Sequence, residues 1–147
     1  MTFRAKPVVH EWDLPRIGLR GLSARDRQLF WQGFEKGRRG APYVKGNGFS
    51  RWRPVAGTEL NIALYITNRS VGLFVRGLRG VPLSATRVLL GPRKAELETR
   101  LAARLDDEVP LLRRLPLAST DTSTWARAYE WLRDAEEDFL AALIAED

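Results

Sequence analysis

Glu59-Leu-Asn-Ile-Ala-Leu-Tyr-Ile66, then Thr67-Asn-Arg-Ser70, then Val71-Gly-Leu-Phe-Val75 is the stretch that decides the fold. Leu60, Ile62, Leu64 and Ile66 alternate with Glu59, Asn61, Ala63 and Tyr65, and that period of two marks a half-buried strand. Thr67–Ser70 makes a turn, after which Val71, Leu73 and Val75 resume the alternation to about residue 77. Upstream, a strand is expected at about 49–55, holding Phe49, Arg51, Trp52 and Arg53. The connections between the three strands are too short for a crossover, so they read as an antiparallel meander.

Helical signals flank this sheet. Ser23-Ala-Arg-Asp26 is a weaker relative of the Ser-x-x-Glu capping box, and Leu29, Phe30, Trp31 and Phe34 follow it. The helix is expected at about 24–36, with Gly37 as its C′ stop. Residues 84–105 are helical in character, divided at Gly91-Pro92, and Leu97, Leu101 and Leu105 repeat at i+4 as a buried stripe. Residues 111–118 suit a fourth strand, which Pro116 confines to an edge or an end. Asp121-Thr-Ser-Thr124 caps a last helix whose Trp125, Tyr129, Leu132, Phe139 and Leu143 lie on one side. The expected class is therefore α+β: an antiparallel sheet of three to four strands packed against an N-terminal helix and two C-terminal helices. It reads as one domain over 1–147, with an irregular segment at 1–21 and the α+β core at 22–145.

Composition narrows the chemistry. At 147 residues and 44% apolar, the chain is able to bury a core and does not match disordered sequences. The absence of cysteine excludes a disulfide framework, thiol catalysis and thiolate metal sites. A single His10 leaves a zinc site short of ligands, so neither metal nor cofactor is expected. No apolar run nears the roughly 20 residues of a membrane span, and the start lacks a signal-peptide stretch, which reads as a cytoplasmic protein. The charge is uneven: residues 1–94 carry 18 Lys/Arg against 5 Asp/Glu, a balance of +13, and residues 95–147 carry 6 against 13, a balance of −7. A clustered positive potential attracts polyanions.

The cations gather at the first hairpin. Arg38, Arg39 and Lys45 lie in the Gly-rich stretch 37–48, Arg51 and Arg53 share one face of the next strand, and Arg69, Arg76 and Arg79 join them across the hairpin. Arg76 has the parity of Phe74 and Gly72, and Trp52, flanked by two arginines, reads as exposed. Cations beside Trp52, Tyr65 and Phe74 resemble a backbone-tracking groove with stacking platforms. The Gly-rich stretch lacks the Gly-Lys-Ser/Thr end of a P-loop, so nucleotide hydrolysis is not expected. His10-Glu-Trp-Asp13 has no second ligand cluster and reads as structural. Glu59 with Asp13 and Asp26 lacks the Glu-x-Lys of nuclease strands. No catalytic residue is assigned, and the acidic run Glu136-Glu-Asp138 reads as the solvated face of the last helix.

Phe30-Trp31-x-x-Phe34, the hairpin Asn61–Ile66 with Val71–Val75, Lys94-Ala-Glu-Leu-Glu98 and Trp125-x-x-x-Tyr-Glu-Trp-Leu132 together resemble a bacterial domain of unknown function, family 4268. The resemblance covers about residues 23–145 and rests mostly on core residues; about 20 N-terminal residues have no counterpart. In that family the domain often follows a nuclease-like domain in proteins that look like restriction or defence components, which implies a nucleic-acid context. No nuclease domain is expected within these 147 residues. The leading expectation is a non-catalytic DNA- or RNA-binding protein that contacts phosphates through the basic loop and sheet face. The alternative is a protein-interaction or assembly module, an accessory subunit of a defence or regulatory complex, with a protein partner or a second copy of the chain. An enzyme trails both.

Overall fold

A computed structural model describes residues 21–38, 40–46 and 50–144. The irregular segment expected at the N-terminus, the set His10–Asp13, Arg39 and Phe49 fall outside the described residues.

The first helix, α1 (Ala24–Lys36), begins where the sequence places it. Ser23 accepts from the Asp26 amide at 3.0 Å, and the Ser23 amide donates to Asp26 Oδ2 at 2.9 Å, which closes a capping box. Gly37 ends it in right-handed geometry, φ −83°, rather than as a left-handed stop.

Five strands follow: β1 (Val44–Lys45), β2 (Arg51–Pro54), β3 (Leu60–Ile66), β4 (Ser70–Gly77) and β5 (Arg113–Pro116). They form one sheet in the order β1-β2-β3-β4-β5, each pair antiparallel. The expected meander is its centre. β1 is the added strand, two residues long, which pairs Val44 with Trp52 inside the stretch read as loop. At the other edge β5 ends on Pro116, whose ring has no amide to offer a further partner.

Between β4 and β5 lie α2 (Leu83–Leu90) and α3 (Lys94–Leu101), separated by a 3-10 turn over Gly91–Arg93 that contains Pro92. Ala102 ends α3 with φ 50°, so Leu105 reaches the core from the following loop and not from a continued helix. The last helix, α4 (Trp125–Ile144), follows a 3-10 turn capped by Asp121, which accepts from the Ser123 amide.

Register separates the sheet into two unlike faces. Ile62 stands opposite Val75, Leu64 opposite Leu73 and Ile66 opposite Val71. These side chains form one core with Phe30, Trp31 and Phe34 of α1 and Leu132, Phe139 and Leu143 of α4. Burying a chain of the Leu or Phe type contributes about 1.5–3 kcal/mol each, so this layer carries much of the stability. Tyr129 of α4 donates to the Phe30 carbonyl at 2.8 Å and ties the two helices together. The other face is not solvated in the way the alternation of β3 predicts: Asn61 and Ala63 are buried and Tyr65 half-buried. Asn61 meets its burial by donating to the Gly77 carbonyl at 3.2 Å. Among the described residues, no helix is long and apolar enough to cross a membrane.

Candidate functional site

The two faces treat their arginines differently. Arg51 stands opposite Leu64 and Arg53 opposite Ile62, so both project towards the helices. There Arg51 Nε donates to Glu35 Oε2 of α1 at 2.5 Å. Arg53 Nη1 is paired with Glu136 Oε2 of α4, a carboxylate with no exposed surface. Tyr43 donates its hydroxyl to Glu136 Oε1 at 2.5 Å, and Arg38 lies 3.5 Å from Oε2. Arg38 also donates to Glu137 at 2.9 Å and to the Tyr43 hydroxyl at 3.2 Å. Burial opposes the charge on Arg38, but its bonds to Glu137 and Tyr43 and the charge of Glu136 outweigh it and hold the guanidinium above its ordinary pKa. Burial, with the bond to Glu136 and its charge, raises the Tyr43 phenol.

This corrects the reading of the acidic run as a solvated face at Glu136 alone, since Glu137 and Asp138 are exposed. Glu136 is a buried anchor, Glu137 pairs with Arg38, and Asp138 pairs with Arg113 at 3.3 Å. Three arginines of the sequence-derived cluster therefore neutralise acids within the molecule. A buried carboxylate is tolerable only because its oxygens are filled by charge-assisted partners.

The opposite face carries Trp52 and Arg76, with Arg79 beside them. Trp52 aligns with Ala63 and Phe74 across three strands, Arg76 with Asn61, and Tyr65 with Gly72 and Arg114. Trp52 is not exposed as its flanking arginines suggested; it retains 3% of its surface. The guanidinium carbons of Arg76 and Arg79 lie 4.2 Å and 4.4 Å from its ring centroid, within cation–π range. Arg79 also donates to the Lys45 carbonyl on β1 at 2.5 Å. Burial first, and then the charge of Arg79, lowers the Arg76 pKa, and no carboxylate offsets either effect. Its Nε is buried and has no hydrogen-bond partner.

Two glycines set the shape of this face. A Cβ at Gly46 would collide with the Trp52 indole, and one at Gly72 would meet the Tyr65 hydroxyl at 2.5 Å. Trp52 therefore leans over the end of β1, and Tyr65 leans over β4 towards β5. Between them opens a cleft of about 490 Å3. Ala63, Tyr65 and Phe74 lie along it, Arg27, Arg76 and Arg114 supply cations, and Glu108, Val109 and Leu112 come from the loop before β5. That loop starts and ends on non-glycine residues at positive φ, Ala102 at 50° and Leu111 at 57°. Each such residue costs roughly 1–2 kcal/mol.

Of the residues singled out in the sequence, the structure brings Trp52, Arg76 and Arg79 together, with Lys45 adjoining through its backbone. Arg38, Arg51 and Arg53 lie on the other side of the sheet, and Arg69 is exposed in the turn between β3 and β4. Arg27, Glu108 and Arg114 were missed. Arg114 had a readable signal, since a strand over 113–116 against β4 places it opposite Gly72. The Arg27 side chain and the loop residues converge only through tertiary packing. Among the described residues, no group of three or more His, Cys, Asp or Glu is placed to hold a metal ion. No protein-family model, curated protein or solved structure matches the chain, so the resemblance to family 4268 rests on the quoted residues alone.

Proposed function

We propose that this protein binds nucleic acid without acting on it chemically, through the sheet face that carries Trp52, Arg76 and Arg79. The observation that carries the reading is Arg76: a partly desolvated guanidinium with no carboxylate paired to it, stacked on an indole beside the guanidinium of Arg79. Two like charges held together resist burial, and a phosphate beside them relieves the repulsion. Stacking on Trp52 fixes the plane of the guanidinium, so little side-chain entropy remains to be lost on binding. The basic balance of residues 1–94 supports the same reading, as does the clustering of Arg27 and Arg114 along the cleft. A cytoplasmic location belongs to the same proposal.

The test is fluorescence anisotropy of labelled single strands and duplexes over a salt series. Each phosphate contact adds about −0.9 to the salt slope on duplex DNA and about −0.7 on a single strand. Binding that weakens steeply with salt is expected, and Arg76→Ala is expected to flatten the slope by about one contact. No binding to either form at low salt would remove the proposal.

A second reading, a protein-interaction module, draws on α2, where Val88 and Leu89 are 78% and 57% exposed with Leu78 close by at 47%. Recovery of one stoichiometric protein partner, lost in Val88→Asp and free of nucleic acid, would favour it.

A further inference from the structure

We propose that the cleft over Ala63 takes one unstacked nucleobase, so that the face selects single strands over duplex. This rests on the nucleic-acid reading above and adds the part of the ligand that enters. The register row Trp52–Ala63–Phe74 puts a small side chain between two aromatic ones. Trp52 leans over Gly46 and Tyr65 over Gly72, and the nearly buried Ala63 lies at the bottom of the cleft that both rings line. That cleft, about 490 Å3, lies in the range of small-molecule sites, roughly 300–1,000 Å3. Phe74 and Tyr65, with ring centroids 6.3 Å apart and planes at 51°, offer π-faces at its side. Such faces accept any base, whereas the paired and stacked bases of a duplex present none.

The charge around the cleft fits what a base brings with it. Arg76 and Arg114 stand on the same sheet face, on β4 and β5, and Arg27 reaches the cleft from α1. Among the described lining residues Glu108 is the one acid. A base inserted over Ala63 thus has its flanking phosphates near cations on more than one side. A free anion alone would use the cations and leave the aromatic wall empty, so the wall distinguishes a nucleotide unit from a bare phosphate.

The full-length protein decides the matter with three labelled oligonucleotides of equal length: a normal single strand, the same strand made of abasic sites, and a duplex. The normal strand is expected to bind at least about tenfold tighter than the abasic one at equal salt, the scale of one stacked base. Their salt slopes are expected to match, since the phosphates are the same. Phe74→Leu keeps an apolar group of similar size and is expected to bring the normal strand down to the abasic level with unchanged melting temperature. Ala63→Leu narrows the cleft from its buried end and is expected to lower normal-strand binding likewise, at some cost in melting temperature. Equal affinity for the normal and abasic strands overturns the base site and leaves phosphate binding standing. Binding to none of the three overturns both.

Discussion

The two faces of the sheet contain the same residue type in opposite circumstances. On the helix side Arg38, Arg51 and Arg53 meet Glu137, Glu35 and Glu136, and each charge has an internal counterpart. On the other side Arg76 lies on Trp52 with its Nε buried and no acid paired to it. Strands β2 and β4 differ here only in which parity carries the arginine. A basic stretch of sequence is thus not one surface: alternation assigns its cations to one face of the sheet or the other, one residue at a time.

The largest effect that sharpens this contrast is expected at Glu136. Glu136→Ala leaves Arg53 without its carboxylate and the Tyr43 hydroxyl without its acceptor. Breaking a buried pair costs about 3–5 kcal/mol, which chemical denaturation reads directly. Binding by the folded fraction is expected to stay intact. A loss of stability under about 1 kcal/mol would show that the helix-side network is not structural.

Next in size is Arg76→Glu, which places a carboxylate beside Arg79 on the indole. Affinity for single strands is expected to fall by more than about tenfold, while stability holds or rises, because a charge opposite to Arg79 replaces a like one. Unchanged affinity would move the site off this face.

Tyr43→Phe removes a hydrogen bond to a buried carboxylate and is expected to cost about 1.5–3 kcal/mol near neutral pH. Burial and Glu136 raise the folded-state phenol above the unfolded value of about 10. The protonated phenol therefore contributes fully below about pH 10, and its contribution is lost as pH rises through the higher folded value. The gap between wild type and Tyr43→Phe is expected to narrow in alkaline solution; a widening gap would reverse the assignment.

The smallest effect is a gain. Ala102→Gly relieves the left-handed backbone at the end of α3, on an exposed residue, and is expected to stabilise by about 0.5–1 kcal/mol. A loss at this position would mean that the φ of Ala102 is not strained.

Much of the fold was legible in local pattern. The cap at Ser23 and Asp26, the alternation of β3 and β4, and the edge position of β5 were each written in a few adjacent residues. β1 was not, because two residues carry no period. Glu136 was hidden by its neighbours: Glu137 and Asp138 made it look like part of a solvated run. Its spacing gave the better signal, since it stands four residues after Leu132 and three before Phe139, within the apolar stripe. Trp52 was misread because flanking charge was taken as exposure, whereas its neighbours point to the opposite face and two distant arginines cover it. Of the candidate site, Arg76 and Phe74 followed from parity, but the cleft itself needed the lean of two rings over Gly46 and Gly72, which no single strand records.

The most direct test of the division between the faces is the salt dependence of single-strand binding for Arg76→Ala and Arg51→Ala side by side, over about 50–200 mM salt. Arg76→Ala is expected to flatten the slope by about 0.7, the share of one phosphate contact, and Arg51→Ala to leave it unchanged while slightly lowering stability through the loss of the Glu35 pair. A flattened slope for Arg51→Ala with an unaltered one for Arg76→Ala would contradict the account.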